Sequence, residues 1–150
     1  MFLLFVPGAI AQALESSEIS VERGSANIVR LMLKADPAKP VAALQWELAY
    51  QPGSFRINPT VTLPGAAAER AGKSLTCAPK TSDSKAIRLA CVLAGGTKAI
   101  DGGVIAIFRV DADPQGRQGK TSIEVERILG VSPAMDSIPF PGVTIGVTVR

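Results

Sequence analysis

A chain of 150 residues fits one domain with enough material to bury a proper core. Its 47% hydrophobic and 19% charged residues describe a folded protein, and a net charge of +3 carried by scattered Lys and Arg gives no basic stripe of the kind nucleic acid requires. The absence of histidine excludes Ser-His-Asp and Cys-His nucleophiles, H-E-x-x-H zinc sites and histidine proton shuttles, leaving only carboxylates, Lys, Ser and Tyr for any catalysis.

Residues 1–13 form an apolar run ending in Ala-Gln-Ala, small residues where a signal peptidase prefers them. The run falls short of the roughly 20 apolar residues that span a bilayer. It is expected to be a signal peptide or its remnant, with its positive n-region upstream, since no Lys or Arg precedes Glu15. An apolar arm packed on the domain is the alternative. The domain proper is then expected over residues 14–150, in a secreted or extracytoplasmic protein.

Residues 27–34 alternate, with Val29, Leu31 and Leu33 on one side and Arg30 and Lys34 on the other. After the Pro-punctuated loop 36–40 comes the segment around which the chain is organised, residues 41–52. Ala42, Leu44, Trp46, Leu48 and Tyr50 are apolar, while Gln45 and Glu47 stand between them, so the period is two and the strand has one wet face. The only Trp and the only Tyr share its buried side, where each ring removes roughly 150–250 Å² from water. Pro52 and Gly53 end it.

Residues 55–63 predict one or two short strands broken at Asn58 and Pro59, and the alanine-rich residues 65–72 predict one short helix closed by Gly72. Residues 74–77 and 87–93 flank a polar loop and predict a hairpin. Residues 104–110 are expected to turn Val104, Ala106, Phe108 and Val110 inward, and residues 121–128 to bury Ile123 and Val125 opposite Glu124 and Glu126. Residues 130–142 are expected to be irregular, and 143–149 to form the closing strand. Many short strands with turn signals between them, and no βαβ alternation, predict an all-β sandwich.

Cys77 and Cys91, the only cysteines, lie one in each arm of the predicted hairpin, where antiparallel pairing brings them opposite one another. In an exported chain this favours a disulfide, with two buried thiols as the alternative. Asp111, Asp113 and Gly116 lack the spacing and terminal Glu of an EF-hand, so they read as a hydrated turn, and no metal or cofactor is expected.

In order, residues 41–52, then Ala-Ile-Asp-Gly-Gly-Val-Ile-Ala-Ile-Phe-Arg-Val at 99–110, and finally 142–149 resemble a bacterial cohesin domain of the cellulosome type. The resemblance spans about residues 19–149, with Gln51 standing where the family commonly carries an aspartate. It implies a jelly-roll β-sandwich of about nine strands, akin to carbohydrate-binding modules, that holds a calcium-loaded dockerin against one sheet. Mapped onto this chain, that sheet is built from residues 41–50, 74–78, 87–93 and 121–128. The outward residues expected to meet the partner are Gln45, Glu47, Thr76, Arg88, Glu124 and Glu126, an acidic face suited to a basic partner.

Two further readings remain. Direct polysaccharide binding requires exposed aromatics on which sugar rings rest, and Phe140, between two prolines, is the one ring expected outside the core. A glycosidase requires two carboxylates roughly 5–10 Å apart, and no acid here sits in a recognisable catalytic motif.

Overall fold

The computed structural model describes residues 12–81 and 85–150. Most of residues 1–13, read from the sequence as a signal peptide or its remnant, therefore lies outside the described residues. Of its end, Gln12 donates through Nε2 to the Lys39 carbonyl at 2.8 Å, and Ala13 opens the first strand.

Among the described residues, twelve strands form two sheets. The smaller sheet comprises β1 (Ala13–Glu15), β3 (Ala26–Lys34), β5 (Phe55–Ile57), β6 (Leu63–Pro64) and β9 (Gly103–Ala112), in the order β1-β3-β9-β5 with β6 also on β9. The larger sheet runs β2-β12-β10-β4-β8-β7, where β2 is Ile19–Val21, β4 Ala43–Tyr50, β7 Ser74–Lys80, β8 Ile87–Ala94, β10 Gly119–Val131 and β12 Val143–Val149. A short β11 (Ser137–Pro139) pairs with β10. Every pairing is antiparallel except β2 with β12. The all-β sandwich is as expected; the strand count exceeds nine because several added strands have only two or three residues, too few to display a period.

The core lies between the sheets. β4 occupies an interior place in the larger sheet, and Leu44, Trp46, Leu48 and Tyr50 are all buried beneath it. The Tyr50 ring stacks on Phe55 of the smaller sheet at 5.0 Å between centroids, and its hydroxyl accepts the Ile57 N–H at 3.1 Å. That contact ties the sheets together while satisfying the one polar atom the ring brings inside.

The helix α1 (Ala66–Arg70) packs on β9 and buries Ala67 and Ala68. It enters at Gly65, where a Cβ would stand 2.2 Å from the Val104 carbonyl oxygen, so only glycine permits the approach. Lys73, buried just beyond it, donates to the Gly95 and Gly96 carbonyls at 2.8 and 3.1 Å.

Three local expectations are corrected. Val104 does not turn inward: a bulge between Leu31 and Met32 sets it opposite Met32, and Ile105 takes its buried place. Residues 130–142 are not wholly irregular, since β10 extends to Val131 and folds back through β11. Phe140 is not an exposed ring: it is buried, with its edge over Gly130, where an added Cβ would meet Cε1 at 2.8 Å.

Candidate docking face

The outer face of the larger sheet brings the six predicted residues together. The strands β7, β8, β4 and β10 that carry them are successive neighbours. Register places the outward side chains in rows across the sheet. One row runs Lys80, Arg88, Ala49, Glu124 and Thr144, and the next Ala78, Ala90, Glu47 and Glu126. A third runs Thr76, Val92, Gln45 and Leu129.

The charged rows are closed on themselves. Lys80 Nζ donates to Glu47 Oε2 at 2.8 Å, and Arg88 Nη1 donates to Glu126 Oε2 at 2.8 Å while standing 3.8 Å from Glu47 Oε1. Arg127 Nη1 lies 3.5 Å from Glu47 Oε2. Glu124 accepts from the Ser122 hydroxyl at 3.1 Å and the Thr144 hydroxyl at 2.7 Å.

Glu47 is consequently not a wet residue. It is only 8% exposed, and neighbouring Ala49 is buried as well, because long cationic stems from β7, β8 and β10 lie over this part of β4. The hydrogen bond from Lys80 holds the Glu47 carboxyl below the ordinary carboxylate range against the opposing effect of burial, with the charges of Arg127, Lys80 and Arg88 adding to the depression. The Arg88 guanidinium is raised above its ordinary value by its hydrogen bond to Glu126, with burial opposing.

Sequence reasoning missed two members of this cluster. Lys80 follows Pro79, which reads as the start of a loop, yet β7 continues through both residues. Arg127 sits where the register of β10 slips between Glu126 and Leu129, with φ of 50°, so alternation misplaces everything after it. The third row is a different surface. It carries no formal charge, Gln45 is exposed, and Val92 is 48% exposed at its centre.

Cys77 and Cys91 are bonded beneath this face, as directly opposed residues of β7 and β8. All aromatic rings among the described residues (Trp46, Tyr50, Phe55, Phe108 and Phe140) are buried, so the described surface offers no ring for a sugar to rest on. Among the described residues no three Cys, Asp or Glu side chains converge as metal ligands, and no helix is long and apolar enough to cross a membrane.

No protein-family model matches the chain, and no curated protein matches it significantly in sequence. Solved structures do. The cohesin of a Coh-OlpA–Doc918 type I cohesin–dockerin complex from Clostridium thermocellum superposes with a TM-score of 0.75 at 16% identity, over 93% of this chain and 99% of that one. The sixth cohesin of scaffoldin B from Acetivibrio cellulolyticus, solved with a Cel5 dockerin mutant, gives 0.73 at 11% identity, over 93% and 99%. A non-cellulosomal cohesin from the archaeon Archaeoglobus fulgidus gives 0.68 at 11% identity, over 93% and 91%. Agreement over nearly the whole of both chains at such low identity is agreement of fold: this chain folds as cohesin modules do.

Proposed function

We propose that this chain is a non-catalytic, extracytoplasmic docking module that holds a dockerin-type protein partner on the outer face of β4, β7, β8 and β10. The observation that carries the reading is the uncharged row Thr76, Val92, Gln45 and Leu129, an accessible strip with an apolar centre, in a fold two of whose solved relatives are complexed with dockerins. Of the six residues expected at the partner face, Gln45 and Thr76 lie in this strip. Glu47, Arg88, Glu124 and Glu126 form the border, where they are already bonded to groups of the chain itself. The face holds Glu47, Glu124 and Glu126 against Lys80, Arg88 and Arg127, so a partner gains little from being basic. Burial of Val92 and hydrogen bonds to Gln45 and Thr76 supply the affinity, with the charged border excluding water. The cystine under the face supports an oxidising compartment.

The test is calorimetric titration with a panel of calcium-loaded dockerins, followed by hydrogen exchange on any complex formed. Binding that protects β4, β7, β8 and β10, is abolished by Val92→Asp and persists with little change at high salt supports the proposal. Failure of the whole panel, or protection confined to other strands, overturns it.

A further inference from the structure

The opposite side of the sandwich carries a surface of different chemistry. On the outer face of the smaller sheet, register aligns Arg30 of β3, Ile107 of β9 and Leu63 of β6 in one row. The adjacent rows set Met32 beside Val104, and Ile28 beside Arg109. Met32 is 43% and Leu63 60% exposed, so an apolar diagonal runs across the sheet between two arginines that also face solvent. Lys34 extends the basic border along β3, and Arg56 of β5 stands opposite Asp111. Asp111 pairs with Arg109 at 2.8 Å, and Glu15 of β1 is the other acid on these strands' outer face. Four cations thus meet two carboxylates here, whereas on the larger sheet Lys80, Arg88, Arg127 and Lys120 meet Glu47, Glu124 and Glu126. Exposed apolar side chains rimmed by polar groups mark an interaction surface, and this rim carries more cations than carboxylates.

The chemistry of the occupant follows from what surrounds the patch. The aromatic rings of these strands, Phe55 and Phe108, point inward, so there is no platform for sugar rings. The apolar side chains rise from strand bodies on a sheet face and not from a protruding loop able to enter a bilayer. A second copy docked through the same face would set Arg30 and Arg109 against their own kind. An acidic, amphipathic protein segment satisfies both the charge and the apolar diagonal.

We propose that the outer face of the smaller sheet is a second docking surface, taking an acidic amphipathic protein segment with its apolar side on Met32, Ile107 and Leu63 and its carboxylates on Arg30, Arg109 and Lys34. Because the two sheets face opposite ways, a segment docked here leaves the outer face of the larger sheet open. This inference is independent of the dockerin reading.

The probe is a synthetic peptide carrying Leu and Glu at helical spacing, with a scrambled peptide of the same composition as control, titrated by NMR and by fluorescence anisotropy. Amide shifts confined to β3, β6 and β9, with weaker binding of the scrambled peptide, support the proposal. Arg30→Glu with Arg109→Glu is expected to weaken binding about tenfold or more, and the same charge change made as Lys39→Glu with Lys120→Glu about twofold or less. Met32→Ser with Leu63→Ser is expected to weaken it also. Shifts elsewhere, equal affinity for the two peptides, equal losses in both charge variants or no binding overturn it. Preferential binding to phosphatidylserine vesicles overturns it in favour of a lipid surface. The shift map on the unaltered protein decides the matter even where a variant fails to fold.

Discussion

Lys80 and Glu47 are joined at 2.8 Å although β8 lies between the strands that carry them. The lysine crosses β8 diagonally, since its own row opposes Arg88 and that of Glu47 opposes Ala90. The carboxylate under it is the one negative group shared by Lys80, Arg88 and Arg127. Removing it as Glu47→Ala takes away the contacts of Lys80 and Arg127 while Arg88 keeps Glu126, and is expected to cost about 1–2 kcal/mol, whereas Lys80→Ala, at the more open end, costs less than about 1 kcal/mol. Urea denaturation of both variants checks the order.

The same cluster sets a pH dependence. The carboxyl of Glu47 titrates lower in the folded chain than in the unfolded one. Its contribution is therefore complete above the ordinary carboxylate range and is lost as pH falls through the depressed native value. The stability difference between the unaltered chain and Glu47→Gln is expected to shrink on acidification. Thermal melts at neutral and acidic pH measure it, and a difference that grows toward acid contradicts the assignment.

Arg127 holds a left-handed φ of 50° where β10 slips register. Both Arg127→Gly and Arg127→Ala lose the contact to Glu47, but only glycine relieves the backbone. The glycine variant is expected to be the more stable of the two by about 1 kcal/mol, a difference of about 2–4 °C in Tm for a chain of this size.

The Cys77–Cys91 bridge closes a separation of 14 residues. Its reduction, or Cys77→Ser with Cys91→Ser, is expected to lower stability by about 3 kcal/mol in the chain-entropy model. Equal urea midpoints with and without reductant would count against that role.

At Gly65 the obstacle is backbone, the Val104 carbonyl, which has no rotamer with which to yield. Gly65→Ala is expected to cost about 1–3 kcal/mol, with increased proteolysis near α1 as the local sign of its displacement.

The parts of this architecture that were legible in the sequence are those in which one repeating constraint governs several residues. Val29, Leu31 and Leu33 alternate because one face of β3 is buried, and Leu44 to Tyr50 do so for the same reason. The helix at 66–70 showed through its alanines and the following glycine. Illegible parts depend on a single inserted residue or on atoms far along the chain. The bulge at Met32 turned Val104 outward, and the slip at Arg127 concealed a member of the ion cluster. Phe140 lies between prolines, which suggest a loop, and only the bare backbone of Gly130 gives its ring a place to pack. Glu47 sits at an outward position as its alternation requires, yet it is buried, because three long side chains cover it. Period two specifies the side of a sheet and says nothing about what covers that side.

Trp46 on β4 lies directly across from Cys91 on β8, and it is the sole indole of the chain. A disulfide quenches a nearby excited indole, so the protein contains its own optical gauge. Cutting the cystine should brighten the emission with no change of colour while the sandwich stays closed, and unfolding should then move it to the red. The two events are separable in one spectrum, without any label.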